Sequence, residues 1–407
     1  MNKDNLLFRS RLFFICTGMK LTDSQQAFIQ SHEKEDVLEL ALRYKGEEIS
    51  FLLAQIAGRQ AAEKKIPSWY RNRDLLYPQQ LSLEQASSEL TARYKASLVD
   101  GGDLFVDLTG GMGIDFSFLA PHFRRAHYVE KDEQLCHLAR HNFAVLGMQQ
   151  VEVHQLEGEA FLQQLSIADL IYLDPARRDA GGRKVFRIEE CSPDLSLLAG
   201  ELLEKAERVM IKYSPMLDIS LAVKTLRHVK ELHVVSVENE CKELLFLLGK
   251  ETVEPLYHAV NIHRGGEREL FTFTPGEEQQ EALYSKVPGR YLYEPNASIL
   301  KAGGFNVTAH RYNLQKLHKH SHLYTGDRLV DDFPGRIFQV EEWFGANRKE
   351  IRRFAAAVPK TNITVRNYPH SVAEIRKRWG ITEGGDNYLF ATTLNDGQKV
   401  WISCSKL

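Results

Sequence analysis

The sequence is poor in cysteine and has no long apolar run. Its five cysteines, Cys16, Cys136, Cys191, Cys241 and Cys404, lie far apart and form no C-x-x-C pair. That spacing argues against a zinc ribbon, an iron–sulfur cluster or a disulfide framework, and suits reduced thiols in a cytosol. No apolar stretch approaches the roughly 18 residues of a membrane span, so a cytoplasmic protein with no membrane contact is expected. An excess of charge of one sign is also missing. Lys and Arg total 52 against 54 Asp and Glu, a net charge of −2, so any nucleic-acid surface must be local. There is no internal repeat or low-complexity tract. Leu12-Phe13-Phe14-Ile15 follows Arg9 and Arg11, but the run is short for a signal peptide and no small-residue cleavage site follows. Met19-Lys20-Leu21 is the more natural start, and residues 1–18 are expected to be disordered.

What is present divides by pattern. A chain of 407 residues exceeds one compact core, so two or three domains are expected. Residues 1–96 read as a helical region, with Ile49, Leu52, Leu53 and Ile56 at helical spacing and Ser82 as the cap of a helix through Leu98. From Leu104 short apolar strands alternate with helices, which predicts an α/β fold with a doubly wound, mainly parallel, Rossmann-like sheet. The segments Glu243–Leu248, Leu256–Ile262 and Glu269–Phe273 leave little room for helices and read as antiparallel strands at one edge. Pro275-Gly276-Glu277-Glu278 is a polar break. Beyond it a separate α+β region is expected. Asn296 would cap a short helix there, and a hairpin would turn at Asn395-Asp396-Gly397.

The chemistry concentrates on one edge of the predicted sheet. Phe105-Val106-Asp107-Leu108-Thr109-Gly110-Gly111-Met112-Gly113 carries a strand into a glycine turn and then a helix, where the backbone can approach a ligand closely. Glu130 ends the next strand, about 20 residues on, where an acid can take both ribose hydroxyls. Glu159 follows the third strand, and Asp174-Pro175-Ala176-Arg177 follows the fourth. A NAD site is the rival reading. Its fingerprint requires a third glycine three residues after Gly113, and Phe116 stands there.

This ordered series resembles motifs I to IV of class I S-adenosylmethionine-dependent methyltransferases, over residues 97–275. The resemblance implies S-adenosylmethionine as cofactor. It implies that Asp107, Thr109, Gly111 and Gly113 wrap the methionine end, that Glu130 binds ribose and that Glu159 meets the adenine amine. Thr109 departs from the usual glycine. Asn142 and Gly147 also resemble nucleic-acid methyltransferases, and Leu83–Ala92 is similar to the motif that closes over the cofactor in many base methyltransferases. The latter reads equally as an ordinary polar helix.

In amino-methylating relatives the loop after the fourth strand reads Asp/Asn-Pro-Pro-aromatic. Here Asp174 and Pro175 remain as catalytic candidates, while the second proline and the aromatic are missing. Arg177, Arg178, Arg183, Lys184 and Arg187 follow, as a phosphate-contacting lid or as a solvated charged loop. Tyr213 is a candidate for base stacking, or a core residue. Carbon-5 pyrimidine methylation would need a cysteine nucleophile, and Cys191 stands outside the usual settings for one.

Residues 336–380 hold ten Lys or Arg against four Asp or Glu, with Trp343, Phe344, Tyr368 and Trp379 interleaved. Arg348 and Arg352 lie one helical turn apart and are substrate-binding candidates, as RNA backbone contacts. The plainer reading is a packed core with solvated charges. Tyr293–Ile299 and Gly384–Ala391 resemble a bacterial family of class I methyltransferases with a ferredoxin-like segment, here residues 276–335, and a THUMP-like domain, here 336–407. That resemblance implies an RNA partner, ribosomal or transfer RNA. A methyltransferase fold that only binds RNA is the alternative, and a protein or small-molecule methyltransferase a weaker one. His318-Lys319-His320-Ser321-His322 would share one face if it is a strand, yet no metal is expected, because no cysteine or carboxylate signature adjoins it.

Overall fold

The computed structural model describes residues 21–78, 83, 86–177 and 188–407, with Arg177 described in its backbone only. Residues 1–18, Ser82 and the basic run from Arg178 to Arg187 lie outside the described residues. By compactness the chain divides into residues 1–230 with 245–253, and residues 231–244 with 254–407. No helix among the described residues is long and apolar enough to cross a membrane.

Helices open the first unit where caps meet apolar spacing. α1 (Asp23–His32) begins with a capping box between Thr22 and Gln25. α2 (Val37–Arg43) is capped by Asp36, α3 (Glu47–Lys65) is the longest, and α4 (Pro67–Arg71) starts on proline, whose missing N–H costs nothing at that position. Leu40, Phe51, Leu52 and Ile56 close their shared core. Two buried amides then clasp the extended stretch that follows. Gln55 exchanges both hydrogen bonds with the Tyr77 backbone, and Asn142 does the same with Leu76, at 2.8–2.9 Å. Asn142 thus satisfies backbone groups inside the fold. The next helix, α5 (Glu89–Ala96), is shorter than its pattern suggested. Ser88 caps it by accepting the Thr91 N–H.

Strands and helices then alternate as β1 (Gly102–Asp107), α6 (Ile114–Leu119), β2 (Phe123–Glu130), α7 (Glu133–Val145), β3 (Val151–Gln155), α8 (Gly158–Gln164) and β4 (Ala168–Leu173). A two-stranded ribbon follows, β5 (Ala176–Arg177) with β6 (Cys191–Ser192). The alternation resumes with α9 (Leu195–Lys205), β7 (Ala206–Tyr213), α10 (Ile219–Leu226), β8 (Val229–Val237), β9 (Glu240–Leu248), β10 (Leu256–Ile262) and β11 (Arg268–Phe273). The mixed nine-stranded sheet has the order β11-β10-β8-β9-β7-β4-β1-β2-β3. From β7 to β3 every neighbour is parallel. Strand order reverses between β1 and β4, so their carboxyl ends open the crevice where such sheets take ligands.

The expected antiparallel edge is only partly there. β11 pairs antiparallel with β10, but β10 runs parallel to β8, and β9 lies inside the sheet between β8 and β7. Glu238 and Asn239, both at positive φ, form the two-residue turn that reverses the chain from β8 into β9. Leu244, Leu245 and Phe246 are all buried, as a strand covered on both faces requires.

The second unit continues through α11 (Pro275–Glu278), β12 (Tyr291–Pro295), α12 (Ala297–Ala302), α13 (Asn306–Arg311), β13 (Gln315–Lys316), β14 (Tyr324–Gly326) and β15 (Gly335–Gly345). It closes with α14 (Arg348–Ala357), β16 (Asn362–Arg366), α15 (Val372–Trp379), β17 (Asn387–Thr393) and β18 (Lys399–Lys406). The strands β12 to β18 form one sheet, ordered β13-β14-β12-β15-β18-β17-β16. Asn296 caps α12, and the β17–β18 hairpin turns at Asn395-Asp396-Gly397. Buried Glu294 receives both Arg336 and Arg366, tying β12 to β15 and β16. The His318–His322 segment is a turn and not a strand. The His318 ring accepts the His320 N–H, while His322 stacks on Phe305 at 3.7 Å. The segment therefore offers no strand face for those histidines to share.

Candidate cofactor and acceptor site

The glycine turn is held from two sides. Gly111 and Gly113 sit at φ +60° and +73°, conformations that a Cβ would strain. The Glu130 carboxylate accepts the Gly111 N–H at 2.9 Å with one oxygen and the Asp132 N–H at 2.9 Å with the other. Each oxygen keeps a free lone-pair site, so the carboxylate can still accept two hydroxyls. The donor set therefore fits a ribose at the end of β2. Glu159 stands half-buried in the first turn of α8, beyond β3.

Asp107 is buried at the end of β1, where its carboxylate accepts the Thr109 N–H at 2.9 Å and lies 3.3 Å from the Thr109 hydroxyl. Burial pushes its carboxyl up to about 8 against the pull of the Thr109 N–H, and the charges of Asp115 and Asp174 add to the rise. Thr109 has a second contact: its hydroxyl accepts the Asp174 N–H at 2.6 Å. The residue that departs from the usual glycine thus links the glycine turn to the loop after β4.

Below that loop lies a buried polar network. Lys212, on β7, reaches Asp174 at 2.6 Å, Asp115 at 3.3 Å and the Ser87 hydroxyl at 3.1 Å. Asp115 accepts from Ser87 and from Tyr172, each at 2.7 Å, and pairs with fully buried Lys95 at 3.2 Å. Burial alone would raise the Asp115 carboxyl. Lys95 and Lys212 overcome that and, with the two hydroxyls, hold it well below the usual carboxylate range. The network joins Ser87 and Lys95, from the segment ahead of β1, to the glycine turn and to Asp174.

Sequence reasoning named Asp174 but neither Lys212, which pairs with it, nor Lys95, which pairs with Asp115. Lys95 carried no signal beyond its place in a helix, and Lys212 drew notice only as the neighbour of Tyr213. Asp174 itself remains half-exposed at the carboxyl edge, and Pro175 is buried behind it. Tyr213 is 5% exposed and meets Phe246 edge-on, so it offers no face for stacking a base. Cys191 is likewise buried, in β6. The Arg177 side chain lies outside the described residues.

Arg348 and Arg352 are exposed on α14. With Lys349 they have no ion-pair partner among the described residues, whereas Arg353 is tied to Glu342 at 2.6 Å. Of the interleaved aromatics, Phe344 is core and Tyr368 accepts the Trp401 indole N–H, leaving Trp343 the more exposed.

Comparison with known proteins covers most of the chain. A ferredoxin-like domain family matches residues 291–334, and a THUMP domain-like family matches residues 335–406. A crystal structure of a Porphyromonas gingivalis W83 protein assigned as a methyltransferase superposes with a TM-score of 0.85 at 34% identity. It spans 95% of this chain and 100% of its own. Two Mycobacterium tuberculosis proteins named as uncharacterized S-adenosylmethionine-dependent methyltransferases are each 24% identical over 279 residues, 68% of this chain and 73% of theirs.

Proposed function

This chain belongs to the class I S-adenosylmethionine-dependent methyltransferases with C-terminal ferredoxin-like and THUMP-like domains, and from that premise we propose that it methylates RNA at an exocyclic base amine. The observation that carries the RNA reading is the row Arg348, Lys349 and Arg352. These are exposed cations without ion-pair partners among the described residues, on one helix of the THUMP-like domain. Such cations are free to neutralise phosphates, which position a nucleic acid without reading its sequence.

In this reading Asp107, Thr109, Gly111 and Gly113 hold the methionine end of the cofactor, Glu130 the ribose and Glu159 the adenine amine. The bound cofactor supplies a methyl group on a sulfonium, for in-line displacement. The chain's own part is to place the attacking nitrogen. Asp174 accepts a hydrogen bond from the amine, and the Pro175 carbonyl takes the second N–H. Lys212 keeps the Asp174 carboxylate from turning away, and the Thr109 hydroxyl fixes the backbone on which it stands. The transfer leaves the amine with one methyl and one proton to lose, which passes to solvent across half-exposed Asp174.

The test is incorporation of labelled methyl groups into total RNA from a strain lacking the protein. Incorporation that disappears with Asp174→Ala supports the reading, and nucleoside mass spectrometry then names the atom and the RNA. Labelling of protein or a small molecule, with RNA left unlabelled, overturns it.

A further inference from the structure

Outside the cofactor edge, a second group of chemistry-bearing side chains gathers on β2 and β3. The strands are parallel, with His127 opposite Glu152 and Val129 opposite His154. That register brings His127 Nδ1 to 2.7 Å from His154 Nε2. Glu152 Oε2 lies 3.6 Å from the first nitrogen and 3.7 Å from the second. Three donor atoms of metal-ligating type thus form one small triangle.

The size of that triangle is informative. Zinc bonds of about 2.0–2.1 Å in a tetrahedron set neighbouring ligand atoms roughly 3.3 Å apart. Two sides already lie close to that value, and the imidazole–imidazole side needs to open by roughly 0.6 Å to reach it. At present those two nitrogens share one proton. Moving it to the far nitrogen of its ring frees both lone pairs for an ion. Burial holds both imidazoles below their ordinary range, helped for His127 by its neighbour. The nearby cations are engaged elsewhere: Arg125 pairs with Asp103, and Arg140 donates to the Val153 carbonyl. Phe161 of α8 lies against both rings, at 4.7 Å from His154 and 5.7 Å from His127, giving the group an apolar wall. Glu152 is exposed, which leaves a route for entry and a side for water.

A comparable trio, Glu231, His233 and His258, is less suited. Its two imidazoles are stacked at 4.4 Å with only 10° between their planes, so their in-plane lone pairs run side by side instead of converging.

We propose that His127, Glu152 and His154 bind a divalent ion of the zinc class, with water completing the tetrahedron. The ion would cross-link edge strand β3 to β2 beneath Phe161, and so steady the helix whose first turn carries Glu159. The sequence shows no metal motif because His127 sits 27 residues from His154 and meets it only through strand register.

The full chain, stripped of metal, is titrated with Co²⁺ alone and then with competing Zn²⁺. One equivalent should bind, with the intense visible bands of tetrahedral cobalt, and Zn²⁺ should displace it. His154→Gln should weaken binding more than a hundredfold and Glu152→Gln about tenfold, while His258→Gln should leave it unchanged. Should His154→Gln not fold, as judged by circular dichroism, Glu152→Gln on the exposed side carries the test. No one-to-one binding, full affinity in Glu152→Gln and any foldable His154→Gln, or loss in His258→Gln would overturn the proposal.

Discussion

Two groups of cations in this protein are treated in opposite ways. Lys95 and Lys212 are buried and share the Asp115 carboxylate, with Asp174 and Ser87 completing the contacts of Lys212. Arg348, Lys349 and Arg352 stand in solvent on α14, without ion-pair partners among the described residues. Burying an ion costs several kcal/mol unless its geometry is well satisfied, so an evolved buried network is evidence that a particular geometry is being held. An exposed charge costs little and gains little from its neighbours, so it remains available to a partner. In the proposed reading the first group positions and the second makes contact.

The sharpest way to break that contrast is Asp115→Asn. It removes the negative charge that both buried lysines pair with, and should destabilise the chain by about 3–5 kcal/mol in chemical denaturation. A loss below about 1 kcal/mol would mean that the network holds nothing in place. Next is Asp174→Ala, which in the proposed reading should cut methyl transfer on the order of a hundredfold or more while cofactor affinity stays within about twofold, since there the residue meets the acceptor and not the cofactor. Glu130→Gln should do the reverse, weakening cofactor binding by roughly ten- to a hundredfold in calorimetry, the value of one or two charge-assisted hydrogen bonds.

A smaller effect is expected on the exposed side. Replacing Arg348, Lys349 and Arg352 together with glutamine should leave stability within about 0.5 kcal/mol. It should lower RNA affinity and flatten its salt dependence by about 2 in log–log slope for a single strand. A large stability loss would show that α14 is structural after all.

A separate prediction concerns pH. The Asp107 carboxyl sits at about 8 in the folded chain against an ordinary 3.8. Between those values the unfolded chain has released the proton and the folded chain has not, so folding stability falls as pH rises through the window. Asp107→Asn should remove that fall. Melting midpoints of the two proteins should then separate in favour of the variant as pH increases, and parallel curves would contradict the buried, protonated carboxyl.

Much of the carboxyl edge of the sheet was legible in the chain itself. Asp107, the glycine turn, Glu130, Glu159 and Asp174 each follow an apolar strand, and parallel strands joined by helices bring such ends to one side. The cap at Asn296 and the Asp396-Gly397 turn were legible for the same reason, since their hydrogen bonds are local. The place of β9 was not. Strand pattern says that a segment is extended and buried, but not which strands flank it. Nor was the fate of Tyr213, because the same tyrosine suits a rim or a core.

The sequence by itself therefore determined the order of the elements, the glycine turn and the residues that stand at strand ends, because these depend on neighbours a few positions away. Only the tertiary structure decided that Lys212 grips Asp174, that Ser87 and Lys95 meet Asp115, and that His127 meets His154. Those partners are 8 to 125 residues apart in the chain, counting each link of the network. Sheet order and register bring together Lys212 with Asp174 and His127 with His154, and helix packing the others; both depend on packing over the whole core and leave no periodic trace in any one segment.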